Sequence, residues 1–324
     1  MSLIGITMGD PAGVGPEIIM KALALKDVYE HQYVVYGAVD ILEHYNDMLG
    51  LGCRIVEIQD PEEYEEGAVN VIDSCGLVMK DYEIGQLSAK CGDAAYKYIE
   101  RSIKDAMNGK IAAVVTAPLN KEALHMGGHL YDGHTEIFAT LTGTKTYAMM
   151  FYGPLKIMHV STHCSLREAC NRATKQRVAD VIRLLNQALI QTGIERPHIA
   201  VAGLNPHAGE HGLFGDEEIQ EITPAIEETK QEGIYVEGPI PPDTVFSKTL
   251  NGVYDAAVAM YHDQGHIAAK LQLMSQCVNC TIGLPIIRTS VDHGTAFDIA
   301  GKGVADGENM KQAMLVAEEF MKNR

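Results

Sequence analysis

Short apolar runs alternate along the chain with longer segments of helical periodicity. Residues 3–8 predict a buried strand, and residues 16–25 predict a helix, because Pro16 suits a first helical position. Further apolar runs predict strands at residues 33–36, 111–115, 156–160, 199–204, 256–260 and 282–287, and helical stripes predict helices at residues 88–108, 178–189 and 310–321. Strands that alternate with helices are typical of an α/β fold with a largely parallel sheet, which is the class we predict.

Four of the predicted strands lead into polar loops that carry a histidine. These are His163, His207, His262 and His293, and Arg288 directly follows the last apolar run. Open α/β sheets bind ligands at the carboxyl ends of their strands, so we expect these side chains to converge. Three neutral imidazoles with an open coordination position suit a catalytic divalent metal, which makes His163, His207 and His262 candidate ligands. For any one of them a structural role is the alternative.

The segment 207–211 also matches the inverted zinc-protease pattern H-x-x-E-H. That motif requires a helix, on which both histidines face the same way. Pro206, Gly209 and Gly212 disfavour a helix at this place. The sequence therefore argues against a zinc protease.

Composition narrows the possible partners. The 324 residues include 26 Lys and Arg against 43 Asp and Glu, a formal net charge of −17, which disfavours nucleic acid and anionic membranes. No apolar stretch approaches the ~18 residues of a spanning helix, the first residues do not resemble a signal peptide, and the seven cysteines are irregularly spaced. We expect a cytoplasmic protein with reduced, mostly buried thiols. In so acidic a chain, Lys121, Lys270 and Arg288 are candidates for anchoring an anionic substrate, with solvated surface charges as the alternative.

Two glycine-containing segments suggest a nucleotide cofactor. Residues 9–17 read Gly-Asp-Pro-Ala-Gly-Val-Gly-Pro-Glu, which suits either a phosphate-binding turn or an ordinary strand-to-helix turn. Residues 292–303 resemble the adenosine-binding loop of the β-decarboxylating dehydrogenases of the isocitrate and isopropylmalate type, with Thr295 for Ser and Phe297 for Pro. This resemblance implies two α/β/α domains of that type with a cleft between them. We predict a first domain of residues 1–128 with 284–324 and a second of residues 129–283.

A closer resemblance covers essentially the whole chain. Its motifs occur in order at residues 9–13, 116–121, 133–136, 161–163, 205–210, 242–246, 261–265 and 288–296. They read Gly-Asp-Pro-Ala-Gly, Thr-Ala-Pro-Leu-Asn-Lys, Gly-His-Thr-Glu, Ser-Thr-His, Asn-Pro-His-Ala-Gly-Glu, Pro-Asp-Thr-Val-Phe, Tyr-His-Asp-Gln-Gly and Arg-Thr-Ser-Val-Asp-His-Gly-Thr-Ala. The chain thereby resembles the 4-hydroxythreonine-4-phosphate dehydrogenase family.

This resemblance implies a role for each matched position. One divalent metal ion (Zn, Mg, Mn or Co) would be held by His163, His207 and His262, the last from a partner subunit, so that a homodimer shares its active sites. The substrate-binding positions are His134, Thr135, Lys270, Asn279 and Arg288. The candidate proton carriers are Asp243, Asp263 and Lys270. The NAD-binding loop would use Gly294, Thr295, Asp298 and Ile299.

One departure from the family pattern bears on the substrate. The vitamin-B6 branch usually has Leu-Pro after Tyr-His-Asp-Gln-Gly, whereas this chain has His266 and Ile267. That sequence resembles the branch that acts on D-threonate or D-erythronate 4-phosphate. The expected reaction is NAD- and metal-dependent oxidation followed by β-decarboxylation, giving dihydroxyacetone phosphate and CO₂. The alternatives are 4-hydroxy-L-threonine 4-phosphate oxidation in pyridoxal phosphate biosynthesis, a metal-dependent hydrolase, and a non-catalytic sugar-acid binding protein.

Asp298 bears on the choice of dinucleotide. In the related loop an acidic residue accepts hydrogen bonds from the adenosine ribose and repels a 2′-phosphate. The sequence therefore favours NAD over NADP. The alternative is that Asp298 caps a helix.

Overall fold

The computed structural model describes residues 2–25, 29–273 and 277–322, without the side chains of residues 272 and 273. Its contacts group the chain into two compact units, one of residues 1–145 with 284–319 and the other of residues 146–283 with 320–324. The grouping changes unit after residue 145, whereas the sequence analysis placed its first boundary after residue 128. Both units combine strands and helices, so the predicted α/β class is confirmed.

The strands of the first unit form a parallel arrangement in the order β3-β4-β2-β1-β5-β12. They are β1 (Leu3–Thr7), β2 (Gln32–Tyr36), β3 (Ile55–Glu57), β4 (Val69–Ile72), β5 (Ala113–Thr116) and β12 (Ile287–Ser290). The central strand β1 is buried apart from its first residue, as expected for a strand covered on both faces.

Helices of the first unit follow the strands in α/β fashion. They are α1 (Gly15–Leu23), α2 (Val39–Leu49), α3 (Ala89–Met107), α4 (Lys121–Met126), α5 (His134–Thr142) and α11 (Glu308–Met321), whose last residues fall in the second unit. The Ser88 side chain caps α3 by accepting from the backbone N–H of Cys91. A Cβ on Gly92 would lie 1.9 Å from the Ala123 carbonyl oxygen, so α3 and α4 pack backbone against backbone.

The second unit has the strand order β11-β6-β7-β10-β8-β9. Its strands are β6 (Ala148–Tyr152), β7 (Ile157–His159), β8 (Ile199–Ala202), β9 (Val236–Ile240), β10 (Ala256–Ala259) and β11 (Val278–Ile282). Strands β7, β10, β8 and β9 are parallel, and β6 is antiparallel to both β7 and β11. The largely parallel sheet that we predicted therefore contains one reversed strand in this unit.

Helices of the second unit pack on these strands through an apolar core that includes Phe151, Ile157 and Val245. They are α6 (Leu166–Arg172), α7 (Lys175–Gln191), α8 (Thr223–Gln231), α9 (Pro242–Leu250) and α10 (His262–Leu273). A turn at Pro206–Gly212 and a π-helical turn at Glu218–Ile222 lie between β8 and α8.

One predicted strand was wrong. Residues 282–287 are apolar, but the structure ends β11 at Ile282 and begins β12 at Ile287, with bends between them. Gly283 has φ +102°, a left-handed conformation that interrupts a strand, and Pro285 cannot donate to a ladder. Arg288 consequently lies within β12 and not in a loop after it.

Cys91, Cys277 and Cys280 are buried, and the other four cysteines are partly exposed. Fewer than half of the cysteines are therefore buried, whereas the sequence predicted that most would be. Within the described ranges, none of the helices combines the length and the apolar character needed to cross a membrane.

Candidate active site

Three neighbouring parallel strands bring the predicted metal ligands to one edge of the second unit. Strand β10 pairs with β7 on one side and β8 on the other, and Val258 is in register with both Met158 and Val201. His163 follows β7, His207 follows β8, and His262 is the first residue of the helix after β10. All three histidines therefore leave the sheet at the same end.

His163 and His262 lie close to each other within one chain. Their ring centroids are 6.0 Å apart, with an angle of 45° between the ring planes. With metal–nitrogen bonds of about 2.0–2.1 Å, two imidazoles on one tetrahedral ion have centroids about 5 Å apart. The observed separation is close enough that small side-chain rotations would let both rings bind one ion.

The ring of His262 is held from two directions. Its Nδ1 lies 2.7 Å from Oδ1 of Asp263, and its face stacks on His266 at 3.5 Å between centroids and 15° between planes. His266 Nδ1 in turn lies 3.0 Å from the His262 carbonyl oxygen, to which it donates in the tautomer that carries the proton there. Because Asp263 occupies Nδ1, Nε2 of His262 remains for a metal ion, as in carboxylate–histidine–metal arrangements.

Behind His262 lies a shelf of neutral aromatic rings, which we define as His266, His159 and Phe151. Their centroids are 4.3 Å apart for Phe151 and His266, 4.8 Å for His159 and His266, and 5.5 Å for Phe151 and His159. Burial, with a smaller contribution from neighbouring histidines, lowers the pKa of His159 to about 3 and that of His266 to about 4. The sequence analysis did not identify this shelf, although it singled out His266 as a departure from the family pattern.

His207 lies in a turn with unusual backbone geometry. His207, Ala208, Glu210 and His211 all have positive φ, between 42° and 57°. Left-handed backbone costs roughly 1–2 kcal/mol for each non-glycine residue, so the surrounding structure must enforce this turn. The prediction that residues 207–211 do not form an α-helix is confirmed, which removes the geometry that the protease motif needs.

Glu218 organises this turn from the π-helical segment that follows it. The side chain is only 3% exposed, and its Oε1 accepts hydrogen bonds from the backbone N–H groups of Leu204 and Asn205 at 2.8 and 2.7 Å. A Cβ on Gly209 would lie 2.7 Å from Glu218 Oε2, so a larger residue there would have to displace this carboxylate. His207 and His211 border a cavity of about 350 Å³.

The described residues thus bring two of the three predicted ligands together. Nowhere in residues 2–25, 29–273 and 277–322 do three His, Cys, Asp or Glu side chains stand in a metal-binding arrangement. The chemistry of the pair nevertheless fits a divalent ion, since His163 and His262 supply imidazole nitrogens and His207 follows the neighbouring strand.

An apolar groove of about 480 Å³ runs between α9 and α10 in the second unit. Its walls include Ile267, which is 58% exposed, and Leu271, which is 80% exposed. Asp243 and Asp263, two of the predicted proton carriers, line the same groove. Lys270, the third, lies on α10 with an exposed side chain.

Polar and charged side chains of the first unit surround the beginning of α5. His134 and Thr135 are the first two residues of this helix, where backbone N–H groups favour an anion. A Cβ placed on Gly133, the residue that precedes the helix, would lie 3.7 Å from Lys121 Cε and 3.7 Å from Glu136 Oε2. Arg288 is 3% exposed, donates from Nη2 to Thr116 Oγ1 at 2.8 Å, and also influences His134 electrostatically.

The surroundings of His134 favour its uncharged form. Burial, and secondly the positive charge of Arg288, hold the pKa of His134 well below its usual range. Its Nε2 is buried and has no hydrogen-bond partner among the described residues. A neutral imidazole beside an arginine and a helix N-terminus is suited to hydrogen-bond an anionic ligand.

Asn279, the remaining predicted substrate residue, lies on β11 in the second unit. Its Nδ2 is 3.3 Å from Sδ of Met149, and within the described part of the chain its buried Oδ1 has no hydrogen-bond partner. The amide thus retains an acceptor for a ligand.

The two glycine-containing segments pack against each other in the first unit. The N–H of Val14 donates to the Thr295 carbonyl at 3.0 Å, and a Cβ on Gly13 would lie 2.8 Å from Thr295 Cβ. Gly294 is exposed, and no described atom lies within 4 Å of a Cβ placed there. Ile299 closes a single turn by donating to the Ala296 carbonyl at 3.1 Å.

Asp298 lies on this turn with an exposed side chain. Its carbonyl oxygen accepts from Lys302 Nζ at 2.6 Å, whereas its carboxylate makes no hydrogen bond to the described residues. The carboxylate therefore does not cap a helix in this structure. An exposed carboxylate of this kind can accept hydrogen bonds from the hydroxyl groups of a ligand.

This chain is similar over nearly its whole length to several proteins of known name or structure. A D-threonate 4-phosphate dehydrogenase from Cupriavidus necator is 47% identical over 329 residues, covering 100% of this chain and 98% of that protein. Its counterpart in Salmonella typhimurium is 47% identical over 321 residues, covering 98% of each. The crystal structure of a 4-hydroxythreonine-4-phosphate dehydrogenase from Klebsiella pneumoniae has a TM-score of 0.88 and 45% identity, covering 99% of this chain and 100% of that one.

A family match agrees with these relatives. Residues 29–317 match the family described as pyridoxal phosphate biosynthetic protein PdxA. The resemblance that the ordered motifs indicated is therefore confirmed. The chain belongs to the PdxA family.

Proposed function

We propose that this chain is a dehydrogenase of a 4-phosphorylated hydroxy acid that uses NAD and one divalent metal ion. The preferred substrates are D-threonate and D-erythronate 4-phosphate, in agreement with the names of relatives at 47% identity. The observation that carries the metal-dependent chemistry is that the adjacent parallel strands β7, β10 and β8 bring the loops of all three histidines to one end of the sheet, with Asp263 fixing the ring of His262. His207 is the proposed third ligand.

The proposed reaction is an oxidation followed by loss of CO₂. C3 would lose its hydrogen as a hydride, for which NAD would be the acceptor when bound, and the C3 hydroxyl group would lose its proton to a base, which leaves a β-keto acid. Cleavage of the C1–C2 bond releases CO₂, and C2 takes up a proton to give dihydroxyacetone phosphate. When bound, the metal ion supplies Lewis acidity toward the substrate oxygens, and NAD supplies the hydride acceptor.

The chain itself would supply the proton carriers and the groups that bind the phosphate. Asp243 and Asp263 share one groove, and Lys270 lies on the helix that forms one of its walls. These three side chains are the proposed acid and base groups. The phosphate would be held by Arg288 and by the N-terminus of α5, with His134 and Thr135 as hydrogen-bond partners and Lys121 nearby.

A second candidate substrate is 4-hydroxy-L-threonine 4-phosphate. It is favoured by the name of the structural neighbour from Klebsiella pneumoniae, a 4-hydroxythreonine-4-phosphate dehydrogenase that is 45% identical to this chain. The two substrate classes differ at C2, where one has a hydroxyl group and the other an amino group. His266 and Ile267, where the vitamin-B6 branch usually has Leu-Pro, favour the hydroxy acids.

The test is a substrate panel in which NADH formation is followed with each phosphorylated acid, with and without added metal. We expect activity with the threonate or erythronate phosphate and loss of both metal and activity in His207→Ala, which should remain folded. A metal-free His207→Ala variant with full activity would contradict the ligand assignment. Phosphate release without NADH would support a hydrolase.

We also propose a homodimer whose active sites are shared, as the family resemblance implies. The apolar groove between α9 and α10, with Ile267 and Leu271 exposed in it, is a suitable surface for a second copy. A competing arrangement, in which one chain supplies both His163 and His262 to one ion, is compatible with their separation of 6.0 Å.

A further inference from the structure

Gln264 connects two of the histidine-bearing loops by direct hydrogen bonds. It is the third residue of α10, two positions after His262. Its Oε1 accepts from the backbone N–H of Met260 at 2.7 Å, and its Nε2 donates to the Gly203 carbonyl at 2.8 Å. Gly203 directly follows β8 and lies in the loop that leads to His207.

Met260 also bonds to the third loop, through its carbonyl oxygen. Ser161 Oγ donates to the Met260 carbonyl at 3.0 Å, and the Ser161 side chain is buried. Ser161 lies two residues before His163. A continuous series of hydrogen bonds therefore runs from Ser161 through Met260 and Gln264 to Gly203, and it crosses the ends of β7, β10 and β8.

The far end of this series is also fixed. Glu218 accepts from the N–H groups of Leu204 and Asn205, the two residues after Gly203. The Gly203 N–H donates to the Ile240 carbonyl at 2.9 Å. Gln264 thus bonds to a peptide that is already held on both sides. Because this peptide is fixed, the hydrogen bond can hold α10 at a set distance from the loop after β8.

We infer that Gln264 is a positioning residue that sets the spacing of the loops carrying His163, His207 and His262. The inference rests on the proposed function, in which these loops hold a divalent metal ion. An amide suits the role because one end must accept and the other must donate, which neither Glu nor Leu can do at this position. The inference holds whether the three histidines of a chain serve one ion or two ions of a dimer, since each loop must be held in either case.

Two substitutions separate the two hydrogen bonds. Gln264→Glu keeps an acceptor for the Met260 N–H but loses the donor to Gly203, and Gln264→Leu loses both. Residues that orient metal ligands from outside typically change metal affinity by about 10- to 100-fold. We expect the Zn²⁺ dissociation constant, from competition with a chromophoric chelator, to rise about 10-fold in Gln264→Glu and more in Gln264→Leu. The visible spectrum of bound Co²⁺ should also change, because it reports ligand geometry.

Matched controls are Gln176→Glu and Gln176→Leu, since Gln176 is exposed on α7 and its Nε2 donates to Asp180 Oδ1 at 2.8 Å on the surface. Ser161→Ala removes a different bond in the series and should also weaken Zn²⁺ binding, which keeps the test available if Gln264→Leu fails to fold. In the metal-free protein, the Met260 amide should exchange its hydrogen faster in Gln264→Leu than in the wild type.

The possible results separate the positioning role of Gln264 from the proposed function on which it rests. Wild-type Zn²⁺ affinity and an unchanged Co²⁺ spectrum in folded Gln264→Glu and Ser161→Ala would overturn the positioning role while leaving the metal site intact. A wild-type protein that binds no divalent metal would overturn the proposed function, and this inference with it.

Discussion

At the scale of single residues, charge and burial separate the parts of the proposed site. His134, His159 and His266 are kept neutral by burial, whereas the carboxylates of Asp263 and Asp298 are exposed. Neutral imidazoles can bind a metal ion or accept a hydrogen bond, and exposed carboxylates can bind ribose hydroxyls or exchange protons with solvent. The roles proposed for these side chains follow from their environments.

Asp298→Asn should change cofactor preference. Two unit charges about 4 Å apart at an effective dielectric near 20 interact by roughly 4 kcal/mol, an upper bound for an exposed loop. A tenfold preference needs only about 1.4 kcal/mol, so this carboxylate can dominate discrimination against the 2′-phosphate of NADP. In the variant, kcat/KM for NAD should fall somewhat, and kcat/KM for NADP should rise relative to that for NAD. If the ratio of kcat/KM for the two cofactors stays unchanged, Asp298 does not contact the ribose.

His159 should make the fold sensitive to acid. Its pKa is lowered to about 3 in the folded protein, whereas an unfolded imidazole titrates near 6.5. Below about pH 6.5 the unfolded chain therefore binds a proton that the folded chain does not, and stability falls as pH falls through that window. Relative to His159→Phe, the wild type should lose about 2 kcal/mol more between pH 7 and pH 5, measured by urea unfolding. Unfolding free energies that change equally with pH in the wild type and in His159→Phe would contradict this prediction.

At the scale of elements, several buried strands were predictable from their short apolar runs, whereas the backbone geometry of the turns between them was not. Residues 256–260 read as a strand and the structure has Ala256–Ala259, and the histidines that follow β7, β8 and β10 were found from this pattern. The run 282–287 failed because hydrophobicity alone does not show that Gly283 turns the chain. The ring stack of His266 on His262 depends on tertiary packing, which no local pattern encodes.

The left-handed turn at residues 207–211 should depend on the close fit between Gly209 and Glu218. Gly209→Ala would place a Cβ 2.7 Å from Glu218 Oε2 at φ +78°. Gly212→Ala is a matched control, since its φ is +94° but its Cβ would only meet Ile219 Cδ1 at an ordinary 3.5 Å. We expect urea unfolding to show a loss of about 2–3 kcal/mol for Gly209→Ala and about 1 kcal/mol for Gly212→Ala. Equal losses would mean that Glu218 moves aside freely.

At the scale of the whole molecule, the sharing of sites between subunits has a direct test. Inactive His163→Ala and inactive His262→Ala chains are mixed under conditions of demonstrated subunit exchange. In a dimer with shared sites, one site of each mixed dimer regains every ligand, so about a quarter of wild-type activity should return at equal mixing. No recovery would assign both histidines to one site of the same chain.

Product analysis with purified protein, NAD and a divalent metal is the decisive experiment for the proposed reaction. With D-threonate or D-erythronate 4-phosphate, we expect NADH, CO₂ and dihydroxyacetone phosphate in equal amounts, and none of them after metal removal by a chelator. NADH formation from 4-hydroxy-L-threonine 4-phosphate alone, or turnover that persists without metal, would contradict it.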